Sequence, residues 1–240
     1  MLETTIDTIL SKEIKVCQPK NGFRFSLDSV LLARFVSKKK AKYIIDIGSG
    51  SGVIALLLHK LYNFTNIDAL EYQESMYHCL NETIKLNSCE NIIQPINIDL
   101  KQYKPKNKYN IMVSNPPYRK SSSGRVCNAH EENIARFDDE LGIIDIFKFA
   151  KSYLENLGSL YISYDADLTE ELLGNSRKYN LEPKRLRFFH PDINKPARLV
   201  FIEFKKASSV EMIVEPPIFQ KINGQKNDKF DILFTEEAKI

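Results

Sequence analysis

Three features of this 240-residue chain predict an α/β fold: a doubly wound sheet, mostly parallel, with helices on both faces and an antiparallel hairpin near its end. Short β-rich runs alternate with helical patterns of 10 to 15 residues, several of those runs are apolar on both faces, and glycine is concentrated where the first run gives way to a helix. In order, the strands are read at Tyr43–Gly48, Asn66–Glu71, Pro95–Asp99, Tyr109–Asn115, Ser159–Tyr164 and Arg198–Phe204. "GVIALLLHKLY" supplies the helix after the first strand, and residues 73–87 set Met76, Cys79, Leu80, Thr83 and Ile84 on one helical face. Residues 143–156 and 167–179 give two further amphipathic helices. "HPDINKP" is tight enough to join "LEPKRLRFF" and "ARLVFIEF" as a hairpin. In the forty residues before the first strand, Ser26 or Asp28 caps a helix that buries Val30, Leu31, Ala33 and Phe35. Beyond Lys206 a tail with "EPP" and "NGQKND" reads as a β-rich or partly ordered extension.

With 43% apolar residues the chain can bury one full core, so a single domain over 1–240 is expected. The start, "MLETTIDTIL", lacks the basic and apolar regions of a signal peptide, and no run reaches the length of a membrane span, which predicts a cytoplasmic protein. Cys17, Cys79, Cys89 and Cys127 form no CxxC pair, so reduced structural thiols are expected rather than a metal site. Net charge is only +3, yet from Lys101 to His130 there are seven Lys or Arg and no acid, and from Arg177 to Lys206 nine basic residues face three acids. Two such clusters suit a phosphate-bearing partner, and Arg119, Lys120, Arg125, Arg185, Arg187 and Lys195 are the candidate phosphate contacts.

"DIGSGSG" places Gly48, Gly50 and Gly52 between a strand and a helix. There the backbone turns sharply and approaches a ligand. Glu71, nineteen residues past Gly52, is positioned to accept from both hydroxyls of a ribose, and Asp99 to meet an adenine amine. The GxGxG spacing, with Asp46 just ahead of it, disfavours a pyrophosphate and suits the cationic amino group and sulfonium of S-adenosylmethionine.

"NPPY" ends the fourth strand. Pro116 keeps Asn115 out of the helical region and two prolines stiffen the corner. The Asn115 side-chain oxygen and the Pro116 carbonyl are suited to hold a flat amine at a methyl donor, Pro117 to stiffen the turn and Tyr118 to stack on the substrate. No strong base is needed, because a thioether leaves neutral.

With these motifs the chain resembles the S-adenosylmethionine-dependent amino-methyltransferases, whose Rossmann-like methyltransferase sheet is the fold already read. More narrowly, "QPKNGFRFSLDSVLLARF" (18–35) and "HEENIARFD" (130–138) look like segments of bacterial tRNA1(Val) (adenine(37)-N6)-methyltransferases. The resemblance implies methyl transfer to the exocyclic nitrogen of the adenosine beside a tRNA anticodon, by a monomer or weak dimer that uses no metal. It carries cofactor roles to Asp46, Gly48, Gly50, Glu71, Asp99 and Asn115, and catalytic roles to Asn115, Pro116, Pro117 and Tyr118. It adds Arg24 and Phe25 to the cofactor site and makes 1–40 a cofactor-covering extension and 207–240 a C-terminal one. Methylation of a protein glutamine amide, DNA adenine methylation, and a silent RNA-binding module are the competing readings; the first calls for a longer N-terminal helical domain and the second for a target-recognition region.

Overall fold

The computed structural model describes residues 3–10, 14–21, 24–37, 40–116 and 142–235. It opens with a feature that the sequence pattern does not announce, an antiparallel hairpin of β1 (Thr4–Ile9) and β2 (Ile14–Pro19), with Thr4 opposite Pro19 and Ile9 opposite Ile14. β2 buries Ile14, Val16, Cys17 and Gln18. α1 (Leu27–Phe35) follows. Ser26 holds its N-cap position without a side-chain cap bond, and Asp28 lies in the first turn. Burial of everything from Asp28 to Phe35 therefore stabilises this short helix more than its cap does.

The sheet itself starts with β3 (Ile44–Ile47), α2 (Val53–Tyr62), β4 (Ile67–Leu70), α3 (Glu74–Leu86) and β5 (Ile93–Ile96). Then come β6 (Tyr109–Ser114), α4 (Ile143–Tyr153), β7 (Leu154–Asp165), α5 (Thr169–Ser176), β8 (Leu181–His190) and β9 (Leu199–Lys206). Among the described residues the strand order is β10-β8-β9-β7-β6-β3-β4-β5, where β10 is Ile213–Val214. β5, β4, β3, β6 and β7 run parallel, and β9 runs antiparallel between β7 and β8. The doubly wound sheet and its closing hairpin are thus as the alternation of elements predicts.

One apolar cluster joins α1, α2 and α3 to alternate residues such as Ile44, Ile111, Val113 and Tyr161; the other joins α4 and α5 to Ile45, Ile47, Met112 and Ile162. The α3 face predicted at 73–87 is the buried one, with Met76, Cys79, Leu80, Thr83 and Ile84 inside. Cys17, Cys79 and Cys89 are free and buried, whereas Cys127 lies outside the described residues.

Several boundaries move; the helix expected over 143–156 ends at Tyr153, and residues 154–156 already belong to β7. The third parallel strand is Ile93–Ile96 rather than Pro95–Asp99, so Asp99 sits in the turn beyond it. Its Pro95 pairs opposite Ala69 on an edge strand, the position in a sheet that tolerates proline. β7 is longer than Ser159–Tyr164, because its first five residues extend beside Tyr109 before the register shifts.

The tail is β-rich. β10 and β11 (Ile218–Phe219) both pair with β8, β12 (Lys221–Ile222) folds on β13 (Gln225–Lys226), and α6 (Asp228–Asp231) returns Phe230 to the core against Phe189. None of the helices among the described residues is long and apolar enough to cross a membrane.

Candidate active site

Parallel strands bring their carboxyl ends to one rim, and the register decides which side chains meet there. Ile47 of β3 lies opposite Ser114 of β6, and Ser114 opposite Ile162 of β7. Gly48, Asn115 and Ser163 therefore follow at the same level on three neighbouring strands. Leu70 lies opposite Ile47 on the other side, so Glu71 completes the row.

The glycine loop turns with positive φ at Gly48, Gly50 and Gly52. Gly52 is required for a further reason: a Cβ there would stand 2.6 Å from Leu80 Cδ1 of α3. At Gly50 the nearest atom to such a Cβ is 3.6 Å away, so its requirement is the backbone conformation (φ +56°) rather than crowding. The loop is bound to β4 by the Gly48 and Ser49 amides, both donating to the Leu70 carbonyl at 2.9 Å.

Asp46 lies wholly buried beneath this loop. Its Oδ2 accepts from Ser49 Oγ at 2.5 Å and from the Ala55 amide at 3.2 Å, which ties the loop to α2. Its Oδ1 is buried with no hydrogen-bond partner among the described residues. Burial pushes its pKa up to about 7, against the two hydrogen bonds that lower it, and the nearby Glu71 charge adds to the rise. Glu71, also buried, accepts from the Gly50 amide through Oε2 at 2.8 Å and from the Gln73 amide through Oε1 at 2.7 Å. Burial raises its pKa too, opposed by those backbone donors. An orphaned carboxylate oxygen beside a second carboxylate held only by neutral donors fits a ligand that brings a cation and hydroxyl groups.

Asp99 is partly exposed, and its Oδ1 accepts from the Lys101 amide at 2.8 Å, closing its own turn. Arg24 donates to Thr5 Oγ1 at 2.9 Å and to the Pro19 carbonyl at 3.1 Å, and pairs with Asp7. Phe25 packs on the α1–α2 core, its amide donating to Gln18 Oε1 at 2.7 Å. These two residues join the hairpin to the start of α1.

Asn115 is half-buried and Pro116 buried. The Asn115 Nδ2 lies 3.3 Å from Asp28 Oδ2 and 3.5 Å from Ser29 Oγ, and its Oδ1 accepts from Ser163 Oγ. Asp28, Ser29 and Ser163 escape sequence reasoning as site residues; the available signal is a polar residue inside the otherwise apolar run "SLYISY". Tyr72, 53% exposed beside Glu71, and Asn97, whose Nδ2 donates to the Glu71 carbonyl at 2.8 Å, escape it as well. Pro117, Tyr118, Arg119, Lys120, Arg125 and the 130–138 segment lie outside the described residues.

The second basic cluster does not form the surface that its sequence suggests. Arg185 Nη1 lies 3.1 Å from Glu203 Oε2, Arg185 Nε 2.7 Å from Glu215 Oε1, and Arg187 Nε 3.0 Å from Glu215 Oε2, with both guanidinium groups largely buried. Their charge is neutralised inside the fold, which removes Arg185 and Arg187 from the RNA candidates. Arg177 pairs with Glu182, and Lys206 donates to the Leu154 carbonyl at 2.8 Å. Lys178, Lys184, Lys195, Arg198 and Lys205 remain, and of these Lys195 and Arg198 are exposed on the rim side, because Leu199 pairs with Asp165 at the carboxyl end of β7. Among the described residues no group of three or more His, Cys, Asp or Glu side chains is arranged to hold a metal ion.

Comparison with known proteins bears on this arrangement. The methyltransferase small domain family matches residues 24–176. A tRNA1(Val) (adenine(37)-N6)-methyltransferase of Parabacteroides distasonis is 28% identical over 194 residues, covering 80% of this chain and 81% of that protein. A protein of the same name from Flavobacterium psychrophilum is 24% identical over 209 residues, 85% of this chain and 88% of its own. Among solved structures, a predicted O-methyltransferase from Agrobacterium tumefaciens superposes with a TM-score of 0.70 at 16% identity, over 89% of this chain and 98% of that one. M. jannaschii TYW2 in complex with AdoMet gives 0.56 at 17% identity, over 86% and 88%. At those identities the two structures speak for the fold.

Proposed function

The chain belongs to the methyltransferase small domain family, and from that membership we propose that it transfers a methyl group from S-adenosylmethionine to the N6 amine of an adenosine in tRNA. Adenosine 37 of valine tRNA is the target for which its relatives are named. One observation carries the reading: the glycine loop, the Glu71 carboxylate and the Asn115 amide share one rim, with Ile47 and Ser114 in register beneath them.

Glu71 is the ribose ligand. Each of its oxygens already takes one backbone N–H, and a carboxylate has about four acceptor sites, so two hydroxyls find room. Asp46 faces the cationic end of the cofactor with its unpartnered oxygen, Asp99 meets the adenine, the positive-φ turns at Gly48 and Gly50 shape the loop around it, and Arg24 and Phe25, ahead of α1, add to the site. Bound there, S-adenosylmethionine supplies an electrophilic methyl carbon on a sulfonium that departs as a neutral thioether.

Asn115 Oδ1 and the Pro116 carbonyl accept hydrogen bonds from the two N–H groups of the substrate amine and hold its nitrogen in line, favouring the pyramidal form in which the lone pair leaves the ring, and the methylated nitrogen then releases its extra proton to solvent. Pro117 stiffens the corner and Tyr118 stacks on the base. Lys195 and Arg198 meet phosphates, together with Arg119, Lys120 and Arg125, and a single-stranded anticodon loop suits this combination of stacking and charge. The enzyme then acts where tRNA is charged and used, in the cytoplasm.

Transfer of labelled methyl to total tRNA, followed by nucleoside analysis, tests the reading. N6-methyladenosine is the expected product, and Asn115→Ala lowers turnover by about 10²- to 10³-fold, the usual scale for removing one aligned polar group at a reacting centre. Label in another nucleoside, or in protein, overturns it.

A further inference from the structure

We infer that Asp28 is a positioning residue: its carboxylate fixes which way round the Asn115 amide stands, so that the oxygen and not the NH₂ end faces the substrate amine. This rests on the amine-methylating role proposed above for Asn115.

The two ends of an asparagine side chain have nearly the same shape and opposite hydrogen-bonding character. A rotation of 180° about χ2 turns an acceptor for the substrate into a donor, which an amine with its own two N–H groups cannot use. Something must choose between them. Asp28 Oδ2 and Ser29 Oγ meet the amide on its Nδ2 side, and Ser163 Oγ meets it on the Oδ1 side. A hydroxyl is no judge, since it donates or accepts by turning its O–H bond. A carboxylate accepts only. Of these groups Asp28 is therefore the one that discriminates, and a flipped amide would aim its oxygen at carboxylate oxygen.

The surroundings strengthen that choice. Asp28 is 8% exposed and Ser163 fully buried, so the contact lies where solvent screens little. Asp28 stands in the first turn of α1, where the helix favours negative charge. The entry to that helix is fixed by Gln18 Oε1, which accepts from the Phe25 amide.

The test is a swap in the full-length protein, with methyl transfer to tRNA measured as kcat and KM. Asp28→Asn offers its own NH₂ to position 115 and lets the amide flip: kcat falls about ten- to a hundredfold, while tRNA KM and cofactor affinity stay within about twofold. Asn115→Asp alone sets two carboxylates face to face and falls further. In the double variant, Asp28→Asn with Asn115→Asp, the new amide at position 28 donates to the new carboxylate at position 115. The second oxygen of that carboxylate accepts from the substrate, and kcat recovers at least tenfold over Asn115→Asp. A purely structural role for Asp28 predicts no such recovery. Should Asp28→Asn not fold, Asp28→Ser, whose hydroxyl fits either amide end, gives the same loss confined to kcat. Independently of turnover, the Asn115 side-chain NH₂ signals in ¹⁵N–¹H spectra move on Asp28→Asn while the other side-chain amides keep their positions. A double variant no better than Asn115→Asp, or unmoved Asn115 signals, overturns the assignment. If the wild-type protein labels no tRNA, the functional reading fails by itself and the spectra still decide the geometry.

Discussion

Asp46 and Glu203 are both buried carboxylates on central strands, and the fold treats them in opposite ways. Glu203 Oε1 accepts from Ser159 Oγ at 2.9 Å and Tyr161 Oη at 3.1 Å, and its Oε2 meets Arg185 Nη1 at 3.1 Å and Ser37 Oγ at 3.4 Å. Both oxygens are filled, and a cation cancels the charge. Asp46 has two neutral donors on one oxygen and, among the described residues, none on the other. An acid with its shell closed inside the protein has a structural task; the incomplete shell of Asp46 is what the proposed cofactor would fill. The basic residues divide the same way, with Arg185 and Arg187 closed by Glu203 and Glu215 and Lys195 and Arg198 open at the rim.

Breaking the closed shell has the largest expected effect. Arg185→Met strands Glu203 without its cation and removes the Arg185 stacking on the Phe35 ring, 4.4 Å from its centroid. Loss of one partner from a buried pair costs about 3–5 kcal/mol. Thermal denaturation reads this directly as a large drop in Tm, whereas cofactor affinity measured well below the transition stays unchanged. An unchanged Tm would show that the network is not closed as described.

That division is invisible in the sequence, and the reason is physical. Alternation and periodicity report which way a side chain faces, so the sheet, the α3 face and the row Gly48, Glu71 and Asn115 are legible. Nothing local says that Arg185 lies across from Glu203 on β9, because that pairing depends on β9 inserting between β7 and β8. A count of nine basic residues against three acids therefore reads as one surface, although several of those cations face partners within the fold. The N-terminal hairpin escapes for a related reason. Among the described residues its strands pair only with each other, and β2 makes a buried contact on α3, through Cys17 and Thr83, at a separation of 66 residues. Asp28 reads as a cap because its position in the first turn is the local signal, whereas its contact with Asn115 lies 87 residues away.

An intermediate effect belongs to Asp46. Its pKa in the fold, about 7, lies above the ordinary carboxylate value, so the folded protein holds a proton that the unfolded chain has released. Its contribution to stability is accordingly full at acid pH, declines as pH rises from the usual carboxylate range to about 7, and is flat above. Affinity for a cationic ligand runs the other way, since only the ionised form attracts it. Between about pH 6 and pH 8 cofactor affinity should rise roughly tenfold, following the ionised fraction of such a group. Asp46→Asn removes both slopes. Titration of cofactor binding at several pH values decides it, and a variant that keeps the wild-type slope would move the effect to another group, Glu71 first.

The open cations carry the smallest effect and the sharpest contrast. Charge on a rim acts through counterion release, so each phosphate contact adds about one unit to the dependence of log affinity on log salt, and little to stability. Lys195→Ala and Arg198→Ala should each lower the slope of tRNA binding by about 1 and leave Tm in place. Arg185→Met, studied at a temperature where it is folded, should leave that slope alone because its charge was never presented to solvent. Measured side by side, the three variants separate two kinds of positive charge that the sequence does not distinguish. Equal slopes for all three would place the phosphate path away from the β8–β9 turn, on a part of the rim where Lys195 and Arg198 do not reach.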